Sequence, residues 1–430
     1  MIKHIVQPGD TVYALSNRYG ISPNRLIIEN ELTNPDTLAI GETLLIVYPK
    51  QTYIVREGDT LLSIADAHGV SWLNLLRNNP NIADREELII GEEIVINFED
   101  EKNYSISVNG YAFPYISMDV LRKTLPFLTY LTIIGYQILS DGSIDNIDDV
   151  EIIQLARDYG VASIMEIFTF TVEESIENNA FHTILHDTAL QNILIRNILT
   201  TLRSKGYYGA SIDTPYILPD DKYLYVEFIE NLTRQLNREG FLLIATLLPS
   251  TFEVATGITY MGTDYAGIGR AANNVIYNLS YDWSNPFELT KDALSFQTIT
   301  QAIANASTHV PPEKLLLGVT SIGYSLILPY IPGTTVTTFI NHTNAVNLAR
   351  EFGIAIQFNE TNQVSYLHYS EGDLEYMVLF KDVNSMAAYP DIIRKYNLSG
   401  ISFWNIMYYF PRTWLLFHSQ FEINKVLPPI

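Results

Sequence analysis

Few polar residues close the apolar runs of this chain, and chemistry has to be sought among them. GASID ends in Asp213. NVIYNLSYDW carries Asn278, Tyr281, Asp282 and Trp283, and GISFWNI carries Trp404 and Asn405. A carboxylate leaving an apolar strand among aromatic side chains is a better functional candidate than an average surface acid, because its surroundings can set its protonation. A strand-end turn or an ion pair is the plainer reading of the same residues. His182 and His186 stand at i, i+4 on a predicted helix, a metal-ligand spacing, but no third ligand lies near them in sequence. They read as a solvated helix face, and no metal site is expected. DGSIDNIDD (141–149) is as acidic as a calcium loop, yet its sixth position is Asn146 and no glutamate stands at the twelfth. It reads as a turn followed by a helix cap, and Asp220 and Asp221 read as caps of a later helix.

The elements that must position these residues are apolar β-type runs: 104–113, 130–138, 162–170, 209–216, 242–249, 274–283, 314–325 and 400–406. Helical patterns such as KYLYVEFIENLTRQLNREG separate most of them. Apolar strands alternating with helices imply a parallel sheet buried on both faces, and eight in this length imply an α/β fold closed as a (β/α)8 TIM barrel. Such barrels place their sites at the C-terminal ends of the strands. Residues of about 326–385, with further β-runs SYLHYS and EYMVLF, read as a small α+β insertion after strand seven.

Ahead of this body the chain repeats itself. Gly9, Asp10, Thr11, Gly20, Leu26 and Asn30 recur 49 positions later as Gly58, Asp59, Thr60, Gly69, Leu75 and Asn79. Each copy reads as a β-run, a Gly-Asp-Thr turn whose Asp or Thr caps a helix, two helices and a closing β-run. These βααβ units, 1–48 and 51–98, resemble the LysM module, which binds N-acetylglucosamine-containing glycans. The resemblance implies a sugar groove between the loop after the first strand and the loop before the second. Its walls would be Gly9, Asp10 and Thr11 with Asn34, Pro35 and Ile40 in copy one, and Gly58, Asp59, Thr60 and Leu61 with Asn81 and Ile90 in copy two. The polar stretch 97–103 reads as a hinge into a body at 103–430, so that two tethered modules would bind a repeating polymer with avidity.

Composition narrows the partners. With 26 basic and 48 acidic side chains the formal net charge is -22, which repels nucleic acid and anionic lipid. The absence of cysteine removes thiol catalysis, disulfides and thiolate metal sites. No window offers about 18 uncharged apolar residues, so no membrane span is expected. MIKHIVQPGDTVYAL is interrupted too early for a cleaved secretory signal.

The body resembles family 18 glycoside hydrolases, the chitinase-like barrels, and in particular the bacterial spore cortex-lytic glucosaminidases, on PFLTYLTIIGYQILSDGSI, NVIYNLSYDW, KLLLGVTSIGYSLILPY, VLFKDVNSM and GISFWNIMYYFPRTWLL. That family's fourth-strand motif is Asp-x-x-Asp-x-Asp-x-Glu. Its Glu protonates the glycosidic oxygen, while the Asp two residues earlier orients the substrate's own acetamido group for attack. The resemblance makes Asp213 that Asp, Tyr281 the residue that steadies the acetamido oxygen with Asp282 the catalytic-site acid that follows it, and Trp404 the sugar floor, with Asn278 and Trp283 as further substrate contacts. The earlier motif positions fall on Tyr208 and Ser211, and the general-acid position falls on Pro215. Leu326 and Leu379 stand where the spore subgroup carries aromatics. Glu166 on the third strand and Glu253 after the fifth could stand in as acids, but nothing in the sequence brings either within about 3 Å of a leaving oxygen.

Three readings follow. The first is a spore-associated protein that binds peptidoglycan or a similar glycan through a non-hydrolytic barrel, without a cofactor. The second is an active cortex N-acetylglucosaminidase with an unconventional acid. The third is a structural coat or exosporium component whose partners are other coat proteins.

Overall fold

The computed structural model describes the chain except residues 86, 100–101, 170–178, 214–216, 249–262, 279–295, 332–333, 336 and 429–430. Thr214, Pro215, Glu253, Tyr281, Asp282 and Trp283 therefore lie outside the described residues.

The first repeat pairs β1 (Ile2–Ile5) with β2 (Thr43–Ile46), and the second pairs β3 (Pro49–Ile54) with β4 (Glu93–Phe98), both antiparallel. Two short helices lie between the strands of each copy, Val12–Tyr19 and Pro23–Asn30 in one, Leu61–His68 and Trp72–Asn78 in the other. The helix caps are Thr11 and Thr60, whose hydroxyls accept from Ala14 N and Ser63 N. The aspartates of the turn do not cap. Asp10 accepts from Gln7 N and faces His4, while Asp59 accepts from Arg56 N and the Tyr53 hydroxyl, so each ties its turn back to the first strand.

The body is a closed parallel barrel. Its strands are β5 (Ser105–Ala112), β6 (Tyr130–Gln137), β7 (Ala162–Phe168), β8 (Gly209–Asp213), β9 (Leu242–Leu247), β10 (Asn274–Asn278) and β11 (Leu315–Thr320). After β11 comes an antiparallel sheet of β12 (Gly323–Leu328), β13 (Thr337–Ile340), β14 (Gln357–Asn359), β15 (Val364–Glu371) and β16 (Leu374–Phe380), ordered β13-β12-β16-β15-β14. The eighth barrel strand, β17 (Gly400–Trp404), pairs with both β11 and β5 and closes the ring; β18 (Glu422–Ile423) extends β5. The run 314–325 is thus two strands, one in the barrel and one in the insertion, separated at Ser321–Ile322. Both are apolar because each is buried, so hydropathy alone does not part them.

Alternate strand residues point inward. Inside the barrel Tyr111, Tyr130, Ile134, Ile164, Ile244, Ile276 and Leu316 pack together, while the opposite faces join the larger core under the helices.

The repeats are sealed onto this body rather than tethered to it. Arg412, on the last helix Pro411–Gln420, donates to Asn30 O and Thr43 O and pairs with Glu42 at 2.6 Å. Arg77 of the second repeat donates to Pro126 O at 2.8 Å, and His418 meets Asn78 Oδ1 at 2.9 Å. Leu45 and Val47 of the first repeat enter the barrel's own core. The expected hinge at 97–103 does not separate the units: β4 runs through Phe98, and Glu99 N donates back to Tyr48 O.

Candidate functional site

Strand parity puts Glu166 and Phe168 of β7, Ser211 and Asp213 of β8, Thr246 of β9, Tyr111 of β5 and Trp404 of β17 on the inner face. The register sets their heights. Glu166 pairs with Ser211, and Phe168 pairs with Asp213, so Glu166 lies one pleat deeper than Asp213. A pleat of two residues is about 6.6–6.8 Å along a strand.

At the C-terminal mouth an aromatic wall faces these carboxyls. The Trp404 ring stands 4.9 Å from Tyr111 and 6.5 Å, edge-on, from Phe113; Phe113 stacks on Tyr115 at 5.4 Å. Tyr115 is 76% exposed, so the wall runs from the barrel interior to solvent. A flat apolar surface beside a hydrogen-bonding carboxylate suits a ring with one apolar face and polar edges.

The electrostatics tie the two acids together. Burial pushes the Glu166 carboxyl well above its usual range, the charge of Asp213 pushes the same way, and Ser211 draws it back in part. Burial raises Asp213 to about 6. Both carboxyls are raised, Glu166 the further, as expected of two neighbouring acids that cannot both ionise cheaply. Burial raises the Tyr111 hydroxyl well above its usual range, and the nearby acidic groups push the same way. Glu166 Oε2 and Asp213 Oδ1 are sealed from solvent without a hydrogen-bond partner among the described residues. Such orphaned oxygens are costly unless a ligand or an ordered water meets them.

Asp213 and Trp404 are thus brought to one mouth, and Asn278 closes β10 on the same rim. Leu326 and Leu379 do not face the mouth: they are sealed in the insertion's own core with Tyr324, Val364 and Met377. Tyr111 was missed in the sequence; its only signal was strand parity within YSISVNGYAF.

Two other expectations change. Asp221 does not cap the helix Lys222–Asn237 with its side chain but receives both His182 and His186, so these histidines do have a third polar partner. In 141–149, Asp141 accepts from Ser143 and forms the expected turn, but Asp149 makes no side-chain cap. It is buried and takes the Tyr136 and Tyr207 hydroxyls and Lys205.

In each repeat two closing hydrogen bonds bring the proposed groove loops together: Gly41 N to Val6 O and Val6 N to Glu42 O, repeated as Gly91 N to Val55 O and Val55 N to Glu92 O. Gly9, Thr11, Asn34 and Ile40 are exposed in the first copy, with Asp10 and Pro35 partly so. In the second, Gly58, Thr60 and Ile90 are exposed and Asp59, Leu61 and Asn81 partly so.

Comparison with known proteins agrees with this architecture. The LysM profile matches residues 4–47 and 53–97. YdhD of Bacillus subtilis (strain 168) is 29% identical over 99% of this chain and 100% of its own length. The cortical fragment-lytic enzyme of Bacillus cereus is 27% identical over 98% of each chain. The crystal structure of the spore cortex-lytic enzyme SleL of Bacillus megaterium QM B1551 superposes with a TM-score of 0.80, at 25% identity and over 99% of both chains. The profile of glycosyl hydrolases family 18 covers residues 170–408, more than half of the sequence, and the chain, with its closed barrel behind two LysM domains, belongs to that family.

Proposed function

We propose that this protein binds peptidoglycan, or another N-acetylglucosamine-containing glycan of the bacterial spore, and that its barrel holds a sugar without cutting it. The LysM domains, and relatives whose names describe cortex lysis, support the choice of glycan. The observation that carries the non-hydrolytic part is the depth of Glu166. Among the described residues it is the carboxyl beside Asp213, and it is 2% exposed at the level of Ser211, below the mouth. The donor position of the family's motif is two residues after Asp213 in sequence, where this chain has Pro215. A proline has no proton to give, and a missing general acid typically costs about 10²–10⁴ in rate. Asp213 keeps the part that accepts a hydrogen bond from a substrate amide, and Trp404 keeps the sugar-stacking part.

The test compares reducing-end release from spore cortex fragments by the whole chain and by Asp213→Asn. Equal, background-level release together with co-sedimentation of both proteins with peptidoglycan is the expected result. Release by the unmodified chain well above that of Asp213→Asn overturns it. Loss of co-sedimentation removes the glycan assignment instead. Thr214→Phe with Pro215→Glu restores hydrolysis if the rest of the cleft is intact.

One feature favours the active-enzyme reading: burial and the Asp213 charge push the Glu166 carboxyl well above its usual range, toward the protonated form that an acid catalyst needs. That reading requires measurable release that Glu166→Gln abolishes.

A further inference from the structure

The helix Asn179–His186 and the turn after β8 meet at a cluster for which glycan binding has no use. His182 and His186 sit one helical turn apart and converge on one carboxyl. His182 Nδ1 lies 2.6 Å from Asp221 Oδ2, and His186 Nε2 lies 2.9 Å from Asp221 Oδ1. The ring centroids are 4.5 Å apart. Asp221 is 2% exposed, and its ion-pair partners among the described residues are these two imidazoles, with no lysine or arginine. A buried carboxylate with no lysine or arginine beside it among the described residues favours a cation held between it and the imidazoles.

The donor set names the kind of cation. Two imidazole nitrogens and a carboxylate oxygen suit divalent first-row transition ions, which hard oxygen-seeking ions such as magnesium and calcium would not prefer. Histidines at i, i+4 on one helix face are spaced so that both reach a single ion. The imidazoles are 42% and 50% exposed on their outer sides, which leaves room for water in the remaining coordination position.

We propose that His182, His186 and Asp221 form a binding site for a divalent transition ion, zinc in particular, that ties the helix after β7 to the turn leaving β8. Coordination uses the ring nitrogens that now face Asp221. Each coordinating nitrogen carries no proton, the opposite ring nitrogen holds the ring's N–H, and any proton displaced goes to solvent. Asp221 follows Asp213 by eight residues. The ion therefore holds the chain that leaves the Asp213 strand, as a clamp outside the sugar cleft.

The test uses the full chain, stripped with EDTA and dialysed, with zinc titrated by calorimetry and cobalt by visible absorption. One ion per chain is expected, with cobalt bands typical of mixed nitrogen and oxygen ligation and a rise in Tm on zinc addition. His186→Gln replaces a half-exposed side chain and keeps the fold, checked by circular dichroism. It should weaken zinc by more than the about 10–100-fold typical of losing an outer-shell partner. Asp221→Asn should do the same, with His182→Gln as its replacement if the buried substitution unfolds the chain. An unmodified chain that takes up no zinc at stoichiometric concentrations overturns the proposal. So does zinc affinity unchanged in His186→Gln and in whichever second variant folds.

Discussion

The two LysM copies share their wiring and differ in their surroundings. In both, one asparagine locks the second helix to the closing strand. Asn30 donates to Leu26 O and Leu45 O and accepts from Leu45 N, and Asn79 donates to Leu75 O and Val95 O and accepts from Val95 N. Outside that frame the Ile40–Gly41 loop of the first copy is pressed against the insertion. Ile356 of the insertion donates its N–H to Ile40 O, and a Cβ on Gly41 would lie 2.0 Å from Ile356 O. The second copy meets the barrel through its helical side, at Arg77 and Asn78, and a Cβ on Gly91 would meet nothing. Leu62, Ile89 and Ile90 of the second copy are 59–67% exposed; in the first, Tyr13, the counterpart of Leu62, is 71% exposed, while Ile40 is only 39% exposed. A duplicated sequence thus meets different neighbours: the first copy abuts the insertion at Ile40–Gly41, the second the barrel at Arg77 and Asn78.

This contrast can be broken at several points. The largest effect is expected from Arg412→Ala, which strands the buried Glu42 carboxylate of the first module and should cost about 3–5 kcal/mol in urea unfolding. Arg77→Ala mainly frees backbone carbonyls and should cost about 1–3 kcal/mol. Equal losses would contradict the different anchoring.

Gly41→Ala and Gly91→Ala come next. Both glycines have φ above +80°, so an alanine at either pays about 1–2 kcal/mol in backbone strain. Only Gly41→Ala also collides with Ile356, adding about 1–3 kcal/mol. Matching Tm values for the two variants would mean that the first module is not pressed against the insertion.

A pH series probes the second module's seam. His418 is buried, with Nε2 donating to Asn78 Oδ1 and Nδ1 accepting from Lys102. Burial, then Lys102 and Arg77, hold its pKa well below 6.5. Below pH 6.5 the unfolded chain binds a proton that the folded chain refuses. Stability from this residue is therefore complete above pH 6.5 and is lost as pH falls, by at most about 1.4 kcal/mol per pH unit. The Tm of His418→Gln should fall less steeply between pH 7 and pH 5 than that of the unmodified chain; parallel curves would remove His418 as the cause.

The smallest effect concerns binding. Ile90→Ala should weaken co-sedimentation with peptidoglycan about tenfold, the loss of part of one buried aliphatic side chain, while Ile40→Ala changes it little. Equal weakening would restore two working grooves.

Much of this was legible in the residues themselves. Each of the eight apolar runs holds a barrel strand, because a strand buried on both faces reads as apolar throughout. The repeats were legible because Gly-Asp-Thr and the paired asparagines are local devices. The asparagine locks span at most 16 residues, within one module. The same logic explains the misses. The Gly-Asp-Thr turns leave the cap open between Asp and Thr because both stand next to the helix start, and the threonines, one residue better placed, take it. Leu326 and Leu379 fell on positions aligned with sugar-contacting aromatics, yet the strands carrying them turn those side chains into the insertion's core.

What the sequence determined by itself is the set of elements, their inner and outer faces, and the chemistry at the ends of β8 and β17: an Asp without a following acid, and a Trp. Period-two and period-3.6 burial are properties of neighbouring residues and survive in the bare chain. Only the tertiary structure decided which groups share a site. Glu166 comes beside Asp213 through the register of two strands 45 residues apart, and Asp221 reaches His182 across 39. Arg412 reaches Asn30 across 382. Those pairings depend on barrel closure and on how helices seat against it, so no local pattern carries them.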